Sequence, residues 1–264
     1  MSGGTDPSAS RALFEAAKGA SFRAEIPEQW SQGRTSYGGL LSALAQNAAR
    51  AVVPADAIPR AAQISFIAPS VGTLSFEAAL LRGGRSASFA SVTIHAQESL
   101  VLTSTFIFGA PRSSGIKLTS RQLVDLPPPE QCKPIFRNNP HLPKLTQNFD
   151  YRSARGATPN AAPGFTAWLR LIEPVPLDPF AMLLLLADAL PPAAITLASA
   201  PGNASSMNWS VNFTHSAPST RDGWWLVQTS AQDAAEGFGS QSMLIANADG
   251  VVMAESMQAM ALFF

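Results

Sequence analysis

Apolar residues along this chain fall into two rhythms, a helical one and an alternating one, and the two occur twice in the same order. In the first half, Gly38-Gly39 leads into LLSALAQNAARAVV, which reads as a helix ended by Pro54. Strand-like runs follow at 62–68 (AQISFIA), 73–82 (TLSFEAALLR), 86–97 (SASFASVTIHAQ) and 100–108 (LVLTSTFIF). Pro69-Ser70-Val71-Gly72, Gly83-Gly84 and Glu98-Ser99 separate them. Ahead of the helix, residues 21–30 read as one more strand.

The second half repeats this order: a strand at 165–171 (FTAWLRL), a helix over 179–190, then strands at 208–214, 224–232, 239–247 and 251–262. Each half has a tight hairpin between two long strands, Gln97-Glu98-Ser99 in the first and Asn247-Ala248-Asp249-Gly250 in the second. Each hairpin pair then ends on aromatic rings, Phe106 and Phe108 against Phe263 and Phe264. A sheet with strands this long must bury one face, and the helix is the element available to cover it. The expected architecture is α+β and duplicated, with units at 1–110 and 165–264. The stretch 111–164 between them, rich in proline from Pro127-Pro128-Pro129 through Pro159 and Pro163, is expected to be an extended or irregular connector, mobile at least in part.

Composition narrows the function. The 264 residues are 46% hydrophobic, enough for one large core or two smaller ones. Only 14% are charged, with 18 basic and 18 acidic residues and no long block of one sign, so a nucleic-acid partner is not expected. The start of the chain shows no apolar signal segment, and the apolar run around 183–198 is broken by Asp188 and two prolines, short of a membrane span of roughly 20 residues. A cytoplasmic protein without a membrane span is the expectation. The single cysteine, Cys132, reads as an inert thiol, and the three histidines (His95, His141, His215) have no metal-ligand spacing, so neither a metal nor another cofactor is expected.

One residue does not fit the helix that carries it. Asp188 is the only formal charge between Asp178 and Arg221 and lies in FAMLLLLADAL. Asp178-Pro179 supplies an N-cap and first helical position, and Pro191-Pro192 the stop, which puts Asp188 in the last turn. There the helix dipole favours cations. A carboxylate stripped of water also needs hydrogen-bonding partners. Asp188 is therefore either a working group or a carboxylate satisfied by Ser206 or backbone donors. Gln258 has a similar pair of readings, since it alternates with Ser256 and Met260 on one strand face and could be an ordinary buried amide.

Several short motifs together resemble the TesB-type acyl-CoA thioesterases, which are built as two fused hot-dog domains. In the first half these are Trp30-Ser31-Gln32-Gly33, Tyr37-Gly38-Gly39, Phe66-Ile67-Ala68-Pro69, Gly83-Gly84-Arg85 and Val92-Thr93-Ile94-His95. In the second they are Leu177-Asp178-Pro179, Leu186-Ala187-Asp188-Ala189, Ser206-Met207-Asn208 and Ala254-Glu255-Ser256-Met257-Gln258. The resemblance implies a double hot-dog fold, each half a long helix wrapped by a curved antiparallel sheet. It implies acyl-CoA as substrate and a water held by Asp188, Ser206 and Gln258, with Ser205 as the alternative hydroxyl after a one-residue shift. Asn208 stands where the family commonly has an Asp. The family commonly pairs its double hot-dogs, so a homodimer or higher homo-oligomer is expected.

The chemistry agrees with these residue types. Asp188 can accept a proton from water, while Ser206 and Gln258 orient water and carboxylate. No G-x-S-x-G elbow occurs, so an acyl-enzyme is not required. Gly38-Gly39 at a helix start offers backbone N–H groups for the substrate oxygen, or else is a simple tight turn. The first helix carries Gln46-Asn47 where the second carries Asp188, and neither amide can act as a base, so one hydrolytic site per fused pair is expected. The alternative function is a non-catalytic acyl-CoA-binding protein on the same scaffold. Arg85 lies near CoA phosphates or is simply solvated.

Overall fold

The computed structural model describes residues 7–118, 120–123, 126–136, 139–154 and 163–264. Both apolar helices form, α2 over Gly38–Arg50 and α3 over Pro179–Ala187, and a further helix, α1 (Pro7–Ala16), precedes them. Asp178 caps α3 by accepting the N–H groups of Phe180 (2.9 Å) and Ala181 (3.3 Å), with Pro179 in the first turn. Nearly every side chain of α3 is buried, as a helix apolar on all faces requires. α2 lies against it. Many buried residues of α2 are small (Gly39, Ser42, Ala43, Ala45, Ala48 and Ala49), which lets helix axes approach closely.

The strands of the first half are β1 (Ser21–Glu25), a small ribbon of β2 (Ser31–Gln32) and β3 (Thr35–Ser36), β4 (Ile58–Phe66), β5 (Thr73–Gly83), β6 (Ser88–Ala96) and β7 (Ser99–Gly109). Those that follow are β8 (Lys133–Ile135), β9 (Phe149–Ser153), β10 (Gly164–Leu171), β11 (Asn203–Phe213), β12 (Trp225–Ala235), β13 (Phe238–Ala246) and β14 (Val252–Phe263). All but the ribbon join one 12-stranded sheet in the order β1-β5-β6-β7-β4-β11-β14-β13-β12-β10-β9-β8. The halves meet where β4 pairs with β11, with Ile64 opposite Trp209. Leu44, Phe76, Phe106, Leu184, Trp209 and Ile245 belong to one buried cluster, so the helices and the inner sheet face share a core. This is the α+β, helix-in-sheet form expected of each half.

Two local expectations change. The first strand stops at Glu25, because Pro27 turns the chain into a short 3-10 helix at Glu28–Trp30. The stretch 111–164 is not irregular throughout: β8 and β9 extend the sheet beyond β10, with Tyr151 opposite Leu169. The aromatic residues explain it. Phe149 and Tyr151 are buried in the shared core, whereas a solvated linker would expose them. Trp168 on β10 donates its indole N–H to the Pro127 carbonyl at 2.9 Å, which pins the proline run to the sheet. Pro159 and the opening residues 1–6 lie outside the described residues.

Candidate active site

The helix carrying Asp188 ends by tightening. The N–H groups of Asp188 and Ala189 both turn to the Leu186 carbonyl, so Leu185 loses the donor a continuing helix would supply. Tyr37, from the other half, donates its hydroxyl to Leu185 O at 2.5 Å, and Tyr151 donates to Ala189 O at 3.0 Å. Burial holds both phenols well above their ordinary titration range, with the Asp188 charge adding to the effect at Tyr37, so both remain O–H donors.

Against this end of α3 stands the N-terminus of α2. Tyr37 occupies its N-cap without a side-chain capping bond, so the first-turn N–H groups are not closed off by their own cap. The Gly39 N–H donates to the Asp188 carboxylate. A Cβ on Gly38 would lie 2.8 Å from Asp188 Oδ2 and 3.0 Å from the Phe66 ring, and one on Gly39 would run into the Tyr37 phenol. Both glycines are thus needed for the close approach of the two helix ends.

Two strands supply the remaining side chains. Gln258, inward on β14 and 3% exposed, donates from Nε2 to Asp188 Oδ1 and to Ser206 Oγ, each at 2.9 Å. Its Oε1 accepts from Gln241 Nε2 at 2.7 Å, and Gln241 Oε1 accepts the backbone N–H of Ala193 at 2.8 Å. The predicted trio of Asp188, Ser206 and Gln258 therefore converges, with Ser206 rather than the exposed Ser205 at the Gln258 amide.

A bulge in β11 sets which residues face the site. The β11–β14 register shifts between Ser206 and Asn208, leaving Met207 as the extra residue. Before it, Ala204 and Ser206 are the more covered positions; after it, Trp209, Val211 and Phe213 are buried. The alternation has slipped by one, which sends Asn208 to the outer face although Ser206 is two residues away. Asn208 is exposed, and its Oδ1 accepts the Ala259 N–H at 3.3 Å. The missing carboxylate at Asn208 is thus not a gap in the inner cluster.

Asp188 borders two cavities. One of about 160 Å³ is lined by Gln32, Gly38, Phe66, Ser70 and Ser206. The other, about 590 Å³, runs along Phe136, Leu142, Leu190, Ile195 and Phe264, with Glu28, His141 and Lys144 on its wall. Burial pushes the Asp188 carboxyl up to about 6, against the hydrogen bonds from Gln258 and Gly39, which favour its charged form.

The other candidates stay outside this cluster. His95 lies on β6, and His215, past β11, accepts the Ala217 N–H at 3.2 Å. Arg85 is exposed at the turn after β5, and Cys132 is buried with its thiol pushed up by desolvation. Among the described residues no group of three or more His, Cys, Asp or Glu side chains gathers as a metal set, and no helix is long and apolar enough to cross a membrane. Gln241 and Tyr151 do not stand out in the sequence, and Tyr37 does so only as part of the Tyr37-Gly38-Gly39 motif, with no role of its own. Their one signal is a polar group at an inward position of an otherwise apolar pattern.

Comparison with known proteins fixes the family. The N-terminal domain model of acyl-CoA thioesterases matches residues 26–109, and the C-terminal domain model of the same family matches residues 129–262. The chain belongs to the acyl-CoA thioesterase family. The C-terminal match begins at residue 129, inside the stretch read as connector and ahead of β8. Solved structures share the fold. A conserved hot-dog protein of unknown function from Alicyclobacillus acidocaldarius is 24% identical over 96% of this chain and 98% of its own, with a TM-score of 0.82. An acyl-CoA thioesterase II from Mycobacterium marinum is 18% identical, with 93% and 92% covered and a TM-score of 0.73. A tesB protein of Mycobacterium avium subspecies paratuberculosis is 20% identical, with 92% of both chains covered and a TM-score of 0.74. No curated protein matches the chain significantly. The hot-dog fold is thus common to this thioesterase family member and its structural neighbours.

Proposed function

We propose that the protein hydrolyses acyl-CoA thioesters through a water activated by Asp188. The observation that carries the reading is the convergence of a carboxylate, an amide and a hydroxyl at the open end of α2, where two cavities meet. A thioester laid across Asp188 has one arm in each cavity. The attacking water is held between Asp188 and Ser206. As its oxygen bonds to the carbonyl carbon, its proton passes to Asp188. Negative charge on the carbonyl oxygen faces the α2 N-terminus, where Gly38 donates its N–H while Gly39 serves the base. The C–S bond then breaks, and the Asp188 proton goes to the departing sulfur. The products are a free acid and the CoA thiol, with no covalent enzyme intermediate.

A carboxyl pushed up to about 6 is a stronger base than an ordinary aspartate and is still ionised above neutrality. The rival reading, a binding protein without turnover, rests on the altered Ser206-Met207-Asn208 segment, and the outward position of Asn208 favours the hydrolase over it. The test is thiol release from a panel of acyl-CoAs by the wild type and Asp188→Asn. Release that collapses in the variant is expected; binding without release at every chain length would overturn the reading.

A further inference from the structure

We propose that Gln241 is a positioning residue that determines which way round the Gln258 amide is held. The inference rests on the hydrolase reading above. A carboxamide has a donor end and an acceptor end of nearly the same shape, so packing alone does not choose between its two orientations. Here the choice is made at the far end of a chain of hydrogen bonds. The Ala193 backbone N–H can only donate, so it must meet the Gln241 oxygen, as it does at 2.8 Å. That turns Gln241 Nε2 toward Gln258, whose Oε1 accepts at 2.7 Å. Only the Gln258 Nε2 is then left for Asp188 Oδ1 and Ser206 Oγ. Reversed, Gln258 would set its oxygen against the carboxylate, acceptor facing acceptor.

Three features make this a dedicated device. Gln241 and Gln258 are direct cross-strand partners on β13 and β14, and each is only 3% exposed, so water is not at hand to replace either bond. The second Nε2 hydrogen of Gln241 meets only a weak acceptor, Met243 Sδ, at 3.6 Å. The anchoring N–H belongs to the residue after Pro191-Pro192, and that pair ends the segment bearing Asp188. The chain that presents the base therefore also orients the amide serving it.

Loss of this orientation should be read at Asp188 itself. The titratable groups around its carboxylate are Tyr37, on which the Asp188 charge acts, Tyr151, which donates to Ala189 O, and Glu28, His141 and Lys144 on the wall of the larger cavity. All are unchanged when only Gln241 is replaced, so a difference between wild type and variant reports the amide. The experiment pairs carboxyl ¹³C NMR titration of Asp188 with pH profiles of kcat/KM. It uses the full chain as wild type, Gln241→Met, Gln258→Met and the double variant. Gln241→Met should move the Asp188 midpoint upward by about one unit, and with it the acid limb of kcat/KM, while KM changes little. At neutral pH kcat/KM should fall roughly 10- to 100-fold. The double variant should match Gln258→Met alone, because Gln241 acts only through Gln258.

An unmoved midpoint in Gln241→Met would overturn the proposal, as would equal factors for that substitution with and without Gln258. Gln241→Leu gives the same test if the Met variant does not fold, since it also removes the donor to Gln258 and adds no charge or titratable group. A wild type that hydrolyses no acyl-CoA would sink the hydrolase reading by itself, and the NMR titration would still decide the role of Gln241.

Discussion

Replacing Asp188 by Asn should stabilise the protein while removing its activity, and both effects follow from one environment. Burial lifts the Asp188 carboxyl from an ordinary value of 3.8 to about 6. The sign is set by which state holds the proton. Between those values the folded protein keeps a proton that the unfolded chain has released, so stability falls as pH rises through that window. Above it the ionised carboxylate costs the folded state about 3 kcal/mol relative to acid conditions, from about two pH units at 1.36 kcal/mol each.

An Asn of the same shape keeps an acceptor for Gln258 but cannot present acceptors on both sides, so the Gly39 N–H loses its partner at a cost of about 1 kcal/mol. The net gain near pH 8 is then about 2 kcal/mol, or a rise in Tm of roughly 4–8 °C for a chain of this size. Near pH 4 the wild-type carboxyl is neutral too, and the gap should close. Thermal melts of both proteins from pH 4 to 8 measure the difference, and thiol release measures the loss of the base, about 10²- to 10⁴-fold. In the wild type, kcat/KM should rise through about pH 6 to a plateau. A variant with a constant Tm offset across that range, or one less stable than wild type at pH 8, would refute the assignment of a desolvated base to Asp188.

Gly38→Ala places a methyl 2.8 Å from Asp188 Oδ2 and 3.0 Å from the Phe66 ring, so kcat should drop about 10- to 100-fold, with a lower Tm in thermal melts. Tyr151→Phe keeps the ring that packs on Phe149 but leaves the Ala189 carbonyl without its donor. It should cost about 1–3 kcal/mol in denaturant titrations and shift the acid limb of kcat/KM upward, because a bare carbonyl then faces the neighbourhood of Asp188. The outer sheet face exposes Met257 and Phe238, and β14 ends in the exposed Phe263, so light scattering should return at least a dimer. A monomer at micromolar concentration would count against that expectation.

What the sequence made legible follows the range of the forces involved. The N-terminal cap of α3 is local, so Asp178-Pro179 fixed its start, but the helix stops at Ala187 with Asp188 as its C-cap, three residues short of the end expected from Pro191-Pro192; the odd placement of Asp188 was visible without a fold. Gln258 carries no such signal, and Ser206 entered only as one way to satisfy the carboxylate; the family resemblance alone joined both to Asp188 as a working set. The bulge at Met207 was not legible, because regular alternation puts Ser206 and Asn208 on one face and only the β14 register shows the slip. The strands inside the proline-rich stretch were missed because proline count outweighed Phe149 and Tyr151, whose burial depends on β10. Gln241 was hidden for a similar reason: its partner is across a strand pair, and its anchor is the backbone of Ala193.

The proposed site stands at one helix end of a duplicated fold, and the caps give a reason for that. The start of α2 meets the end of α3, where Asp188 sits; duplication would pair the start of α3 with the part of α2 holding Gln46 and Asn47. The two starts are built differently. α2 begins on Tyr37, without a side-chain cap, followed by two glycines, so its N–H groups reach an anion and a substrate can approach the backbone. α3 begins with Asp178, whose carboxylate takes the N–H groups of Phe180 and Ala181, and with Pro179, which has no N–H. A negative charge already fills the place where a substrate oxygen or a second carboxylate would bind. Gln46, fully buried, cannot act as a base in any case. On the proposed reading, the capping that stabilises α3 also closes a second site, and the proposed base lies opposite the one of these two helix starts left open.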